Sequence, residues 1–154
     1  MRLELNLKNI AQIAKLKEDE NISFGSYLKG QDFEKIDKIV HRLNEEIAPQ
    51  IDCLDCGNCC QNLRPIATDE ELSVFVEPEN IEAYKYLKGF PCKHLDGKKC
   101  TIYSGRPEEC RSYPYLHRDK FVDRPHEVLQ NYEICPIVFN VFELLKKELV
   151  WINK

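Results

Sequence analysis

Eight cysteines are the residues of this 154-residue chain whose type and spacing most clearly indicate chemistry. Four form the run Cys53-x-x-Cys56-x-x-Cys59-Cys60, and four follow downstream as Cys92, Cys100, Cys110 and Cys135. Thiolates are soft ligands for zinc and for iron–sulfur clusters, and a two-residue gap lets the chain fold back so that two sulfurs reach one centre. We therefore predict that all eight cysteines are metal ligands and that metal ions are partners of this protein.

The spacing favours an iron–sulfur cluster slightly over zinc. Three cysteines at i, i+3 and i+6 resemble the start of the ferredoxin run, and the Cys135-Pro136 ending fits the same cluster type. The widely separated Cys92, Cys100 and Cys110 suit zinc equally well. The cofactor is therefore predicted to be an iron–sulfur cluster or zinc.

The adjacent pair Cys59 and Cys60 bears on the number of centres. Neighbouring residues do not project their side chains in the same direction, so these two thiols are poorly placed to share one zinc ion. They either bind two nearby centres, or one is a ligand and Cys60 is a core residue. Eight thiols also allow one cubane cluster with four thiols left over, so the number of centres stays open.

Two other uses of cysteine are disfavoured. Met1–Ala14 lacks the continuous apolar core of an export signal, so a reducing, cytoplasmic location is expected, where disulfides are rare. Thiol–disulfide enzymes present their C-x-x-C pair on a βαβ unit, which the sequence does not predict. The longest apolar stretch, Pro136–Leu145, is interrupted by Asn140 and Glu143 and is too short to span a bilayer, so no membrane partner is expected.

Composition narrows the classes of function. A formal net charge of −4 argues against nucleic-acid binding by bulk electrostatics. No P-loop, dinucleotide-binding glycine motif, zinc-protease motif or serine nucleophile motif is present, so no catalytic residue is predicted and enzymatic activity stays open. One hypothesis is a metal protein with redox or other catalytic work at its cluster. The alternative is a non-catalytic structural-zinc module that binds an unidentified protein partner.

Residues around the cysteines are candidates for a second layer of contacts to the metal centre. Pro107 is typical of a helix start, which would place Cys110 in a first turn whose free N–H groups can donate to sulfur. Arg106 and Arg111 would offset thiolate charge, and Tyr103 would cover the centre. Ordinary surface ion pairs with neighbouring glutamates are the alternative for the arginines. His94, two residues from Cys92, is a possible replacement ligand, with an ordinary exposed side chain as the alternative. The other histidines show no spacing typical of a site.

The elements that must position these residues are mainly helical. Residues 1–50 contain no cysteine and show one apolar stripe near the start, at Leu7, Ile10, Ile13, Ala14 and Leu16. After a breaker-rich stretch at Asn21–Gly30, a stronger amphipathic helix is predicted up to Pro49, with its apolar residues at Phe33, Ile36, Ile39, Val40, Leu43 and Ile47.

The remainder of the chain is predicted to be irregular in the middle and helical at its end. The sequence indicates short helices opening at Thr68 and spanning about Asn80–Leu87, and a strand at Cys100–Tyr103. A closing helix is predicted over Pro136–Ile152. The expected fold is a single mainly α domain over 1–154. It comprises a helical region (1–50), a cysteine-cluster region (51–136) that organises the fold, and a C-terminal helix (137–154).

Over residues 50–136 the sequence resembles the CxxCxxCC, YkgJ-type cysteine-cluster family. The ordered motifs that carry the resemblance are Cys53–Cys60, Phe90–Leu95, Lys99–Tyr103, Arg106–Pro114 and Cys135-Pro136. The resemblance implies a bacterial-type domain that chelates zinc or iron, without a defined reaction. Flagellin lysine N-methylases carry a similar cluster, so it also admits methyl transfer.

Overall fold

The structure is a computed structural model that describes residues 2–56, 58, 70, 73, 77–80, 95–97, 99–101, 103–105 and 108–152. The chain divides into two compact units. The first unit comprises Met1–Ile51 and Pro114–Lys154, and the second comprises Asp52–Tyr113. The predicted helices opening at Thr68 and around Asn80–Leu87 lie almost entirely outside the described residues.

The described elements are mostly helices, as predicted. In the first unit they are α1 (Leu7–Leu16), α2 (Glu18–Lys29) and α3 (Phe33–Ile47). The second unit contains α4 (Cys53–Cys56), the strands β1 (Leu95–Asp96) and β2 (Lys99–Cys100), and α5 (Glu108–Ser112). The chain then returns to the first unit with α6 (Pro125–Leu129) and α7 (Pro136–Glu148). Short 3-10 helices lie at Ala48–Gln50, Pro78–Asn80, Tyr103–Gly105 and Phe121–Asp123.

The long helices begin where the sequence supplies capping groups. The Asn6 side chain accepts hydrogen bonds from the N–H groups of Lys8 and Asn9, and Asp32 accepts one from Glu34. Pro136 occupies the first turn of α7, where its missing N–H costs nothing. These caps are local, so they could be anticipated from the sequence.

The core of the first unit is built around the contact between α3 and α7. Both helices bury a stripe of apolar side chains at helical spacing. The fully or almost fully buried residues of the stripes are Ile36, Val40, Leu43 and Ile47 of α3 and Val138, Val141, Phe142 and Leu145 of α7. The predicted amphipathic and closing helices are thereby confirmed, because both stripes pack against each other within one unit.

Helix α2 corrects a prediction. Asn21–Gly30 is predicted from the sequence to be a breaker-rich stretch, but most of it lies within this helix. Its buried residues are Asn21, Phe24, Gly25 and Leu28, a stripe in which two positions are not large apolar residues. Gly25 leaves room for the His126 ring, because a Cβ at this position would lie 2.7 Å from Nε2 of His126 and would force the ring to shift. Gly25, which resembles a helix breaker in the sequence, is therefore the position at which α2 packs against the His126 side chain.

The end of α7 also differs from the prediction. The helix ends at Glu148 rather than Ile152, because Val150 has a φ of +49°. The Val150 N–H donates to the Lys147 carbonyl and the Trp151 N–H to the Lys146 carbonyl, the two hydrogen bonds of a Schellman motif. Ile152 therefore leaves the apolar stripe and is 73% exposed.

Asn140 links α7 to the N-terminal segment. The side chain is buried, and its Oδ1 accepts from the Glu4 N–H at 3.0 Å while its Nδ2 donates to the Glu4 carbonyl at 2.9 Å. Nδ2 also donates to the Pro136 carbonyl at 2.8 Å. Each polar atom of the buried amide thus has a partner, which is the condition under which a polar group is tolerated in a core.

A buried lysine joins α2 to α7. Lys146 Nζ donates to Glu20 Oε2 at 2.7 Å, to Asn21 Oδ1 at 2.6 Å and to Glu143 Oε1 at 3.0 Å, and its side chain is only 7% exposed. Three acceptors satisfy the three donors of the ammonium group. We refer to Lys146, its three acceptors and the two further donors to Glu143 (Lys17 and Tyr132) as the Lys146 network.

Within the described part of the chain, no helix combines the length and the apolar character that crossing a membrane requires.

Candidate metal centre

Cys53 and Cys56 occupy the first and last positions of α4. A separation of three residues on a helix places two side chains on the same face, one turn apart. Cys53 is exposed and Cys56 is partly exposed. The helical turn therefore presents the first two thiols of the predicted ligand run side by side on an accessible surface.

Cys100 lies in a two-stranded antiparallel hairpin. Leu95 pairs with Cys100 and Asp96 pairs with Lys99. Gly97, in the connecting turn, has a φ of +62°, the conformation that tight hairpin turns demand of glycine. Among the described residues beyond its chain neighbours, no atom lies within 4 Å of a Cβ built on Gly97, so the positive φ is the feature that favours glycine here.

Helix α4 contacts β2 directly. This contact places the helical turn that carries Cys53 and Cys56 beside the strand that carries Cys100. Cys100 is partly exposed, as Cys56 is. Cys100, which is more than forty positions beyond Cys56 in sequence, thus belongs to an element that contacts α4 within one unit.

Cys110 is the third residue of α5, in the first turn as predicted. It is partly exposed, and it belongs to the same unit as α4 and the hairpin. Tyr103 lies in the 3-10 helix after β2 and is 39% exposed, and Arg111 is exposed on α5. Their predicted roles beside the metal centre remain predictions.

Cys135 is in the first unit and caps the N-terminus of α7. Its side chain is buried, unlike those of the other described cysteines. Its N–H donates to the Asn131 carbonyl at 2.8 Å, and its carbonyl accepts from the Phe139 N–H at 3.0 Å. The remaining predicted site residues, Cys59, Cys60, Cys92 and Arg106, lie outside the described residues.

The donor set of the second unit fits a thiophilic metal. Sulfur donors on a helical turn and on a contacting hairpin are the ligands that zinc and iron–sulfur clusters use. Cys53, Cys56 and Cys100 are all accessible to an incoming ion. These donors therefore fit a metal ion or a cluster.

A second group of metal-type donors was not anticipated. Asp37, His41 and Asp119 lie together in the first unit, with all three candidate donor atoms within 4.8 Å of one another. The signal that could have found part of this group is the spacing of Asp37 and His41, which are one helical turn apart on α3. Asp119 has no sequence signal, because its approach depends on tertiary structure.

Comparison with known proteins supports the metal-binding interpretation. Residues 52–136 match the CxxCxxCC family, described as "Putative zinc- or iron-chelating domain". The match covers more than half of the chain, and the protein belongs to this family. Searches of curated proteins and of solved structures found no match.

The matched segment has a clear relation to the two units. It begins at the first residue of the second unit and extends to Pro136, where α7 begins in the first unit. All eight cysteines fall within it, whereas α1, α2 and α3 fall outside it. The helical region before residue 50 is therefore an addition to the part of the chain that defines the family.

Proposed function

We propose that this protein binds a metal centre through its cysteine thiolates, with Cys53, Cys56 and Cys100 as ligands of one centre. The contact between α4 and β2 is the observation that carries this proposal. Membership of a family described as zinc- or iron-chelating supports it independently. Cys110 is a further ligand in this proposal, since it lies in the first turn of α5 and in the same unit as α4 and the hairpin.

An iron–sulfur cluster is the preferred occupant. The spacing of Cys53, Cys56 and Cys59 and the Cys135-Pro136 ending support it, because both features resemble ferredoxin ligand runs. Such a cluster would supply electron transfer. The protein's own residues would hold the thiolates, donate hydrogen bonds to sulfur and limit solvent access, which together set a cluster's potential. Thiolate ligation also requires reduced cysteines, so we propose a reducing compartment.

A structural zinc site is the second candidate. The short α4 and the two-residue strands of the hairpin support it, because described elements of this size gain stability when an ion joins them. In that case every coordination position is filled by protein, and the unit works as a binding module. In the iron–sulfur case the centre is redox-active and coloured.

Anaerobic purification with elemental and sulfide analysis separates the two candidates. A brown protein with several iron atoms per chain and matching acid-labile sulfide would support the cluster. A colourless protein with one or two zinc ions per chain would support the module. A purified folded protein that contains neither metal, and that takes up neither on reconstitution, would contradict the proposal.

Ligand variants test the residue assignments. Cys56→Ser, Cys100→Ser and Cys110→Ser should each lower the metal content and the yield of folded protein, because ligand binding and folding are coupled at sites of this kind. Ser104→Ala is a matched control, since Ser104 is exposed in the same unit and carries no thiol. Full metal content in all three cysteine variants would rule out the assignment. Cys60→Ser should leave the metal content unchanged if Cys60 is a core residue.

A further inference from the structure

Three residues of the first unit form a cluster with mixed nitrogen and oxygen donors. Asp37 and His41 lie on α3 with the i, i+4 spacing that metal-binding helices use to direct two ligands at one ion. Asp119 precedes the 3-10 helix at Phe121–Asp123. His41 Nε2 lies 3.8 Å from Asp119 Oδ1, and the donor atoms of the three residues are all within 4.8 Å of one another.

Asp37 is held in place by the backbone. Its carboxylate is buried and accepts hydrogen bonds from the N–H groups of Lys120 at 2.7 Å and Phe121 at 3.0 Å, one to each oxygen. Each carboxylate oxygen keeps a second lone pair. Carboxylates that bind metals are commonly oriented by hydrogen bonds of this kind. The interactions that fix Asp37 therefore leave it able to ligate an ion.

The distances are close to those of a divalent metal site. Nitrogen and oxygen ligands lie about 2.0–2.2 Å from zinc, so two ligands of one tetrahedral ion are about 3.3–3.6 Å apart. The separation of 3.8 Å between His41 Nε2 and Asp119 Oδ1 is slightly longer than this, so a small rotation of Asp119 would bring both atoms to one ion. The Asp119 side chain is 84% exposed and can rotate toward the ion without disturbing packing.

We propose that Asp37, His41 and Asp119 form a second metal site, which binds a borderline divalent cation such as Zn²⁺. One imidazole and two carboxylates are a donor set that zinc accepts, and water would fill the remaining positions. The site differs in donor chemistry from the cysteine centre and lies in the other unit, so it does not depend on the proposed function.

The surroundings set a moderate affinity. His41 Nε2 is 3.3 Å from the Arg118 carbonyl, to which its N–H can donate a hydrogen bond. A metal at Nε2 would replace this hydrogen bond and require the ring proton on Nδ1. The Arg124 guanidinium donates to the same carbonyl at 2.8 Å, and its charge acts against a bound cation. We therefore expect Zn²⁺ to exchange at this site, unlike the cysteine-bound metal.

Equilibrium dialysis against Zn²⁺, with the full-length protein already metal-loaded at its cysteines, tests the proposal. The wild type should bind one more zinc ion per chain than His41→Gln and Asp119→Asn. Asp123→Asn is the matched control, because it removes an equal charge from a nearby exposed carboxylate and should bind as the wild type does. Equal zinc binding by all four proteins would overturn the proposal.

Cobalt substitution distinguishes the new site from the cysteine centre. Co²⁺ bound by thiolates shows an intense sulfur-to-metal absorption, whereas a nitrogen and oxygen site shows only weak visible bands. The two site variants should lose the weak bands and keep any thiolate absorption. Loss of the thiolate absorption instead would place the affected metal at the cysteines and contradict the proposal. Trp151 fluorescence checks that each variant remains folded. Asp119 is a surface residue, so its replacement should leave the fold intact.

Discussion

At the scale of single residues, Val150 is the least favourable backbone position in the described part of the chain. A φ of +49° is the left-handed region, where a β-branched residue is strained and glycine is usual. The motif persists because the next residue, Trp151, packs against Phe24 with ring centroids 5.0 Å apart. Packing of the tryptophan thus compensates for strain at its neighbour.

Replacement of Val150 should therefore stabilise the protein. Val150→Gly removes strain at an exposed side chain, and we expect a gain of about 1 kcal/mol after the larger entropy of glycine in the unfolded chain is included. Urea unfolding, monitored by Trp151 fluorescence, measures this gain in the free energy of unfolding. Leu16→Gly is the control: Leu16 is 86% exposed at the end of α1, and glycine should destabilise it there. A loss of stability in Val150→Gly would contradict the strain argument.

At this scale the sequence predicts residue types better than residue conformations. The cysteines are evident from their type and spacing alone. The positive φ of Val150 is not, because valine gives no local signal for that conformation. The nearness of Asp119 to His41 is also hidden, since residues 78 positions apart meet only through tertiary packing.

At the scale of elements, the hairpin of β1 and β2 positions Cys100, and Gly97 allows its turn. Gly97→Val should strain the turn by roughly 1–2 kcal/mol, because valine disfavours positive φ. We expect the metal to be removed by a chelator about tenfold more readily than from the wild type, as 1.4 kcal/mol corresponds to a tenfold change. Gly105→Val is the control, since Gly105 has open space and no positive φ. Identical chelation of both variants would show that the turn does not position a ligand.

The Lys146 network joins α2 and the preceding residue Lys17 to α7, and it makes stability depend on pH. Burial alone would raise the pKa of Glu143, but hydrogen bonds from Lys17 (2.7 Å) and Tyr132 (2.6 Å) and the charge of Lys146 lower it. The stabilisation that ionised Glu143 contributes is therefore complete above the ordinary glutamate pKa of about 4.3. It is lost as the pH falls through the lower pKa that Glu143 has in the folded protein. Burial would lower the pKa of Lys17, but the hydrogen bond and charge of Glu143 raise it above the ordinary lysine value. The stabilisation that protonated Lys17 contributes is therefore lost as the pH rises through this raised pKa.

Glu143→Gln tests the acid side of this dependence. At pH 7 we expect the variant to be destabilised by roughly 3 kcal/mol, because Lys146 loses part of its compensation in a buried position. Between about pH 5 and pH 3 its unfolding free energy should fall less steeply than that of the wild type. Urea unfolding at several pH values, with the exposed Glu34→Gln as control, gives both quantities. Equal acid slopes in all three proteins would exclude Glu143 as the titrating group.

The elements differ in how far the sequence predicts them. The apolar stripes of α3 and α7 are continuous, and both helices were predicted. The buried stripe of α2 contains Asn21, which accepts a hydrogen bond from Lys146, and Gly25, which leaves room for the His126 ring. Because these two positions are not apolar side chains of the core, hydrophobic periodicity did not reveal the helix. The contact of α4 with β2 follows no local pattern at all. Prediction therefore failed where partners from distant parts of the chain determine the residue type.

At the scale of the whole molecule, the proposed metal centre implies that the two units are stabilised by different means. The first unit has an extensive apolar core, formed by helices from both ends of the chain. The described elements of the second unit are short, and its cysteines are the ligands of the proposed centre. The single-domain organisation remains a prediction, but these differences suggest that removal of metal affects the two units unequally.

Chelation should therefore unfold the second unit and spare the first. Trp151 is the only tryptophan, and it packs against Phe24 and Tyr27 in the first unit, so its fluorescence reports on that unit alone. We expect chelator to leave this emission and most of the helical circular dichroism unchanged, while protease sites open within 52–113 because metal binding and folding are coupled there. Cys56→Ser should reproduce this state without chelator. Loss of the native Trp151 emission on chelation would show instead that the apolar core of the first unit itself depends on the metal.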